Sequence, residues 1–302
     1  MIRPTARLLL ATLVAILLAA ACGGADSSIA MSGSPGIDHG TPTHDGPSRI
    51  VSISTVATEM LFAIGAGDRV VAVDSMSNFP ADAPVTDLSS FEPNVEAILG
   101  FAPDLVILSY DPGDVVASLD AAGVTSLIQR AANTIADTYS QIETLGAVTG
   151  NEDAAAILVA NMQAQMAALA DSVQSRDEPL SYYHELDDTL YTVTSSTFIG
   201  EVYALAGLVN AADPADADGS AWGYPQVSAE YLLDADPDLI FLADTKCCAQ
   251  DFTAVAARPG WANLTAVSSG RIVELDDDVA SRWGPRIVEF LRSIVEAVNA
   301  IN

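Results

Sequence analysis

Short apolar runs rich in β-branched residues alternate with helical segments from Arg49 onwards. The segment RIVSI at 49–53 predicts a strand, and TVATEMLFAIGAG at 55–67 predicts a helix stopped by glycine. RVVAVD at 69–74 predicts a second strand. This is the beginning of a strand–helix–strand pattern.

The same pattern continues through the next sixty residues. PNVEAILGFA at 93–102 predicts a helix with Pro93 in its first turn, and DLVILSY at 104–110 predicts a buried parallel strand. DAAGVTSLI at 120–128 extends the alternation. Regular alternation of strands and helices predicts an α/β protein, in which helices cover both faces of a parallel sheet.

Part of this pattern occurs twice in the chain. FAPDLVILSY at 101–110 and ADPDLIFLAD at 235–244 share most of their apolar positions. The residues that recur at a constant spacing of 134 are Glu96, Pro103, Asp104, Leu105 and Leu108, matched by Glu230, Pro237, Asp238, Leu239 and Leu242. EMLFAIG at 59–65 is likewise echoed 142 residues later by EVYALAG. Two echoes in the same order predict two similar α/β halves, with chance likeness between apolar units as the alternative.

A long helix is predicted between the two halves. Residues 151–176 begin with Asn151 as a cap, place acids in the first turn and contain no Gly or Pro. Such a helix is about 39 Å long, enough to run along two lobes. We therefore divide the folded part into an N-terminal lobe (48–150), a connecting helix (151–177) and a C-terminal lobe (178–302), with the ligand cleft between the lobes.

The first 21 residues follow a different pattern. Arg3 and Arg7 precede the apolar run LLLATLVAILLAAA, which is typical of an export signal and short for a membrane span. Small residues running into Cys22 resemble a bacterial lipoprotein cleavage site, which would make Cys22 the lipidated first residue of the mature chain. The alternative is a plain secretory signal with an incidental cysteine. Residues 22–47 are rich in Gly, Ser, Pro, Thr and Asp and predict a flexible tether.

Composition and charge narrow the class of partner. Half of the 302 residues are hydrophobic, which is ample for a sizeable core. With 40 acids against 12 bases, the formal net charge is −28. A nucleic acid or an anionic lipid surface is therefore a poor partner, and we expect contact with a membrane only through a lipid anchor.

The sequence offers no recognisable catalytic constellation. The glycines of GAGDRV at 65–70 close a helix instead of opening one after a strand, so they do not form a dinucleotide-binding loop. His184 is the only histidine of the folded part, and no Ser or Cys can be paired with it from sequence, so we interpret it as structural. We predict that the protein is not an enzyme and has no resident cofactor or metal.

Two adjacent cysteines, Cys247 and Cys248, stand in TKCCAQ. Outside the cytoplasm they either form a strained vicinal disulfide or remain thiols, and the sequence leaves both states open. A zinc site would require further Cys or His ligands at suitable spacing, and none lies nearby. The pattern therefore favours a disulfide over a metal site.

Five segments, in order, resemble the substrate-binding proteins of ABC importers for iron chelates and cobalamin, the helical-backbone or class III periplasmic binding proteins. The resemblance covers residues 48–302 and implies two Rossmann-like lobes, each a parallel sheet flanked by helices, joined by one long rigid helix. The segments are RIVSISTVATEMLFAIGAGDRVVAV, EPNVEAILGFAPDLVI, STFIGEVYALAGLVN, YPQVSAEYLLDADPDLIF and ARPGWANLTAVSSGRIVEL…SRWGPRIVEFL.

The resemblance implies an extracytoplasmic, lipid-anchored monomer that delivers its ligand to an ABC permease with a cytoplasmic ATPase. In that family each lobe presents a glutamate that docks onto arginines of the permease, and the motif match places these at Glu96 and Glu230. The alternative for either acid is that it merely complements the dipole of the helix in whose first turn it lies.

The resemblance also implies which positions line the cleft. Aromatic side chains give broad contact to a flat macrocycle or chelate, and arginines answer its oxygen atoms. The positions are Met76, Phe91, Tyr110, Trp222, Tyr224, Asp278, Arg282, Trp283 and Arg286. Met76 departs from the family's cobalamin binder, which has an aromatic at this position. The alternative is that the aromatics pack in the core and that Arg286 lies on the surface at a helix start.

The expected ligand is a metal chelate. A hydroxamate-type ferric siderophore, cobalamin or another corrinoid, and haem are the candidates. Directly coordinated zinc or manganese would need several His and acidic ligands, and the folded part has only His184. An anionic catecholate chelate would need a cluster of bases, and the folded part has few. Both kinds of ligand are therefore less expected. The alternatives to an importer component are an extracytoplasmic enzyme on the same fold and a ligand sensor that docks on a signalling receptor.

Overall fold

The computed structural model describes residues 46–301. The predicted signal segment (1–21), Cys22 and all but the last two residues of the predicted tether (22–47) lie outside the described residues. Among residues 46–301, no helix is both long enough and apolar enough to span a bilayer.

The N-terminal lobe is built on a parallel sheet. Its strands are β1 (Ile50–Ile53), β2 (Val70–Asp74), β3 (Val85–Leu88), β4 (Leu105–Leu108) and β5 (Thr125–Ile128). They lie in the order β3-β2-β1-β4-β5. The strands predicted at 49–53, 69–74 and 104–110 are confirmed. β2 and β3 are added on one side of β1, and β4 and β5 on the other. The loops that follow β1 and β4 therefore diverge and leave a crevice at the carboxyl ends of these strands.

The C-terminal lobe repeats this architecture with a second parallel sheet. Its strands are β6 (Ser181–Glu185), β7 (Val209–Asn210), β8 (Leu239–Leu242) and β9 (Ile272–Glu274), in the order β7-β6-β8-β9. The prediction of an α/β protein with two lobes, each a parallel sheet flanked by helices, is therefore confirmed.

Helices connect the strands and cover the sheets. They are α1 (Thr55–Ala63), α2 (Val95–Leu99), α3 (Val115–Ala121), α4 (Ile135–Thr149), α5 (Glu152–Asp171), α6 (Phe198–Leu205), α7 (Ala229–Ala235), α8 (Phe252–Ala256), α9 (Thr265–Ser268), α10 (Asp277–Ala280) and α11 (Ile287–Asn299). Short 3₁₀ turns lie at Gly67–Arg69, Asp213–Asp216 and Trp261–Asn263.

The central strands are buried on both faces, and successive side chains face different clusters. In β4, Leu105 and Ile107 face the main core, whereas Val106 and Leu108 face an outer cluster of the N-terminal lobe. β8 alternates in the same way in the second sheet. The main core continues through α1, α4, α5, α6 and α11 and so belongs to both lobes. A shared core limits how far the lobes can swing apart.

The repeated aspartates make the same contacts in both lobes. Asp104 Oδ2 accepts hydrogen bonds from the backbone N and the Oγ of Ser48, both at 2.8 Å. Asp238 Oδ2 accepts the same pair from Ser181, both at 2.9 Å. Each aspartate thereby fastens the start of one central strand to the start of its neighbour. This explains why the dipeptide Pro-Asp recurs at the same place in each half.

The connecting helix α5 is the second of two consecutive helices. α4 and α5 meet at Gly146, where an added Cβ would lie 2.5 Å from the Cβ of Ala155, so a larger residue would force the helices apart. α5 has 20 residues and is about 30 Å long, shorter than predicted. It ends early because Asn299 of α11 holds the chain beyond it. Asn299 Nδ2 donates to the carbonyl of Ser172 at 3.0 Å, and Asn299 Oδ1 accepts from the N of Gln174 at 2.9 Å.

One predicted helix start is wrong in detail, and another is capped differently from the usual way. Pro93 precedes α2 instead of lying in its first turn, because Asn94 is the N-cap and its Oδ1 accepts from the N of Ala97 at 3.0 Å. Asn151 is the N-cap residue of α5, as predicted, but its side chain makes no capping hydrogen bond. That side chain instead donates to the carbonyl of Ile64 at 2.9 Å and accepts from Arg69. A tertiary contact has replaced the local one.

Candidate functional site

The predicted cleft residues follow the carboxyl ends of strands in both lobes. Met76 comes two residues after β2, Phe91 three after β3 and Tyr110 two after β4. In the C-terminal lobe, Trp222 and Tyr224 lie on the segment after β7. This edge of a parallel sheet is where α/β proteins bind ligands.

Several of these apolar side chains are not used by the core. Phe91 is 73% exposed and Trp222 86% exposed, and Met76, Tyr224 and Tyr110 are exposed as well. Tyr110 is held in place, since its hydroxyl donates to the carbonyl of Phe91 at 2.8 Å. Large apolar groups that face solvent from strand-end loops are candidates for ligand contact. Their binding role stays a prediction.

Trp283 is placed differently from the other aromatics. It packs against the main core, and its Nε1 donates to Oε1 of Gln141 in α4 at 3.2 Å. Its carbonyl accepts from Oγ1 of Thr138 at 2.9 Å. Trp283 therefore joins the C-terminal segment to α4, and only part of its ring is available to a ligand.

The two predicted cleft arginines both bind Glu59, a residue that the sequence analysis did not select. Arg282 Nη1 donates to Glu59 Oε1 at 2.9 Å. Arg286 Nε and Nη2 donate to Oε2 and Oε1 of Glu59 at 2.9 and 2.5 Å. Glu59 is buried in α1, and both arginines are mostly buried. This cluster joins the N-terminal lobe to the segment before α11. An acid within an apolar helix was the available signal, because charged side chains are rarely buried unless they are paired.

A second polar network continues from this cluster towards the surface. Asp278 Oδ1 accepts from Arg282 Nη2 at 2.7 Å, and Asp278 Oδ2 accepts from Asn78 Nδ2 and Lys246 Nζ, both at 3.0 Å. Burial alone would raise the pKa of the Asp278 carboxyl, but these hydrogen bonds and the cationic charges outweigh it and lower the pKa. Lys246 also binds Asp276 at 2.7 Å. Asn78 and Lys246 are further residues that sequence reasoning missed.

The loop after β2 rests on buried hydroxyls. Asp74 accepts from the N of Met76 at 2.8 Å and from Oγ of Ser77 at 3.0 Å. Oγ of Ser77 lies 3.1 Å from Oγ1 of Thr58 in α1. Burial raises the pKa of Asp74 despite these bonds. These hydrogen bonds to buried side chains hold the loop in place and so position Met76 and Asn78. Beyond them, the guanidinium of Arg286 lies 4.3 Å from the ring centre of Phe79.

The C-terminal lobe holds a second buried ionic group at the ends of β6 and β8. Arg258 Nη1 donates to Oε2 of Glu185 at 2.7 Å, and Asp244 is fully buried beside them. Neither carboxylate oxygen of Asp244 has a hydrogen-bond donor among the described residues. Burial and the neighbouring carboxylate of Glu185 raise the pKa of Asp244 to about 7. Asp244 therefore carries a proton over much of the range below neutral pH.

This raised pKa predicts a pH-dependent stability. Unfolded Asp244 has released its proton well below pH 6, whereas the folded protein keeps it, and this advantage is lost as the pH rises through about 7. The free energy of unfolding should therefore fall by about 1.4 kcal/mol between pH 6 and pH 8 through this residue. Asp244→Asn should lack this component, because an amide does not titrate. Urea unfolding of both proteins at both pH values tests it, and equal pH dependence in the two would contradict it.

Cys247 and Cys248 are free thiols in the structure. Desolvation, a hydrogen bond with Cys248 and the nearby carboxylates of Asp277 and Asp244 raise the pKa of Cys247 to about 12. Thiolate is the form that attacks in disulfide exchange, so this environment makes exchange slow at neutral pH. The vicinal disulfide stays a prediction.

His184 is fully buried in β6, and its Nδ1 lies 2.8 Å from the hydroxyl of Tyr203. Burial lowers the pKa of His184 to about 3, so the ring is neutral. In the part of the chain that the structure describes, no three His, Cys, Asp or Glu residues converge in a way that could hold a metal ion.

Glu96 and Glu230 occupy equivalent positions of the repeat. Each is the second residue of its helix, after the N-caps Asn94 and Ser228, and both side chains are exposed. One acid is thus presented at the start of a short helix in each lobe. Their docking role stays a prediction.

Comparison with known proteins agrees with this fold. Residues 50–279 match the family model described as "Periplasmic binding protein". A cobalamin-binding protein of Halobacterium salinarum is 33% identical, with 83% of this chain and 69% of that protein covered. The uncharacterised ABC transporter substrate-binding lipoprotein YvrC of Bacillus subtilis is 30% identical, with 83% and 80% covered. The periplasmic haem-binding protein RhuT of Roseiflexus sp. RS-1 superposes with a TM-score of 0.70 at 26% identity, with 84% and 100% covered. This chain is a member of the periplasmic binding protein family.

Proposed function

We propose that this protein is the extracytoplasmic substrate-binding component of an ABC importer and that it captures a metal chelate of low net charge, a corrinoid before all others. The observation that carries the proposal is the combination of exposed aromatics with neutralised arginines at the strand-end edge. Phe91 and Trp222 offer apolar faces from the two lobes, while Arg282 and Arg286 are engaged by Glu59. Such a site favours a broad, largely uncharged ligand.

The distribution of bases favours some chelates over others. Lys246, Arg282 and Arg286 are all paired with acids. Arg130, two residues after β5, is exposed and makes no ion pair with any residue in 46–301. One unpaired cation of this kind can form an ion pair with only one anionic group of a ligand. Haem brings two propionates and a catecholate chelate several negative charges, so the site suits them less than a corrinoid or a neutral ferric hydroxamate.

Delivery to a permease and anchoring by lipid complete the proposal. Support comes from the cysteine pattern at Cys22, from the exposed pair Glu96 and Glu230, and from the relative in Bacillus subtilis that is named as a substrate-binding lipoprotein of an ABC transporter. We propose that the protein acts as a monomer, performs no chemistry on its ligand and meets the membrane only through the anchor.

Calorimetric titration of the purified protein tests the ligand class. Cyanocobalamin, a ferric trihydroxamate and haem are titrated side by side, and cyanocobalamin should bind most tightly, with saturation at micromolar concentration or below. Trp222→Ala should weaken binding at least about thirtyfold, because a central aromatic contact contributes about 2 kcal/mol or more. Ile157→Ala is the matched control, since Ile157 is also an exposed apolar residue but lies on α5.

Two outcomes would overturn the proposal. Tightest binding of haem would show that the charge argument is wrong. Absence of saturable binding for all three chelates would remove the ligand class altogether.

A further inference from the structure

Trp222 combines an unfavourable backbone with an exposed side chain. Its φ is +58°, in the left-handed region, and its side chain is 86% exposed. Residues other than glycine avoid this region because Cβ approaches the following carbonyl oxygen. Leu190 also has a positive φ, but its side chain packs against the apolar cluster of the C-terminal lobe. Trp222 has no comparable packing to offset its conformation.

One buried carboxylate brackets this residue. Asp216 closes the 3₁₀ turn Asp213–Asp216 and is mostly buried. Its Oδ1 accepts from the N of Ala221 and its Oδ2 from the N of Gly223, both at 2.7 Å. These two amides flank Trp222 on either side. Hydrogen bonds to a charged group are among the stronger ones in proteins, so these two bonds can offset the free-energy cost of the left-handed conformation at Trp222.

Gly223, the residue after Trp222, also holds this segment of backbone in place. Gly223 has a φ of +86°, and its carbonyl accepts from the N of Thr194 at 2.8 Å. A Cβ at this position would lie 2.6 Å from Cγ2 of Thr197, so the close approach requires glycine. The carboxylate of Asp213 holds the same turn, because it accepts from the N and Oγ of Ser195 at 2.7 and 2.8 Å.

We infer that Asp216 is a positioning residue, which holds Trp222 in the left-handed conformation so that its indole stands out from the C-terminal lobe as a flat contact surface for the ligand. The role of Trp222 towards the ligand rests on the proposed function. The backbone strain is independent of the proposed function, because it is a property of the unliganded protein. Backbone strain that is not offset by packing clusters at active sites and ligand-binding sites.

The strain is tested without any ligand. Trp222→Gly removes the Cβ that makes φ +58° unfavourable, whereas Trp222→Ala keeps it. The glycine variant should therefore have a melting temperature about 2–4 °C above that of the alanine variant. Tyr224 is the matched control, because it is an exposed aromatic two residues away without a positive φ. There, glycine should be less stable than alanine. An alanine variant at Trp222 as stable as the glycine variant would overturn the inference of strain.

The positioning role is tested by a double-mutant cycle with cyanocobalamin as the probe. Asp216→Asn should weaken binding about tenfold when Trp222 is present and should have little further effect in the Trp222→Ala background. A purely structural role would weaken binding equally in both backgrounds and would overturn the assignment. If the unaltered protein binds no corrinoid, the proposed function fails, while the comparison of glycine with alanine at Trp222 still decides whether the residue is strained.

Discussion

Replacing Glu59 by alanine should lower the free energy of unfolding by about 3–5 kcal/mol, the range for removing one partner of a buried ion pair. Glu59 is the common acceptor of Arg282 and Arg286 and lies in α1 with almost no exposed surface. Without it, the mostly buried guanidinium of Arg286 loses its only ion-pair partner among residues 46–301. Arg282 keeps Asp278, which does not bind Arg286. Urea unfolding followed by circular dichroism measures the loss.

Glu201 provides the matched control for Glu59. It stands at the corresponding place of the repeat, in α6, but is only half-buried, and its Oε2 accepts a single bond from the backbone N of Ile135 at 2.8 Å. Glu201→Ala should cost about 1 kcal/mol, as expected for one hydrogen bond. Equal costs at the two positions would mean that the arginines regain solvent when Glu59 is lost, and that the cluster does not hold the lobes together.

The elements that follow from local pattern were predictable from the sequence. β4 is a continuous apolar run and β1 and β2 are mostly apolar, because these strands are buried on both faces, and this pattern is visible in the sequence. The repeat was visible for a similar reason. Asp104 and Asp238 each fasten a strand start, so the same dipeptide is needed twice at one spacing.

Contacts between distant parts of the chain were not predictable. Glu59 meets Arg282 and Arg286 more than two hundred residues away, so no local pattern marks them as partners. The end of α5 depends on Asn299 in the last helix, which is why a propensity argument made the helix too long. In each case a tertiary contact decides what the local sequence leaves open.

In the candidate site, too, the choice of residues was predictable from the sequence, whereas their contacts were not. Sequence resemblance selected Trp222 and Arg282 together, but it could not show that one is exposed and the other already neutralised. That difference changes the expected ligand. An arginine with open donors would recruit carboxylates, whereas an arginine saturated by Glu59 and Asp278 stiffens the site and leaves aromatic faces as the main contact. Only the geometry distinguishes these two cases.

Reversing the charge of both Glu96 and Glu230 to arginine should reduce ligand uptake to the background of a strain without the protein, while ligand affinity stays unchanged. Both side chains are exposed at the second position of a helix, one in each lobe, and neither makes an ion pair within residues 46–301. Each reversal removes a favourable interaction with the helix dipole and adds an unfavourable one, each of about 0.3–1 kcal/mol at an exposed helix end, so the fold should persist. If the proposed docking onto permease arginines is right, the new arginines would meet like charges that oppose it.

Two measurements test this prediction. Uptake of labelled cyanocobalamin is measured in cells that lack their own copy of the gene, and ligand affinity is measured by calorimetry of the purified variants. Asp153→Arg is the control, because Asp153 is an exposed acid at the same second position of a helix, α5, outside the repeat. Its reversal should leave uptake intact. If the double variant still transports, the two glutamates serve only their helices. If it loses ligand affinity together with transport, the defect lies in the lobes themselves, and the contact with the permease must be sought on another surface.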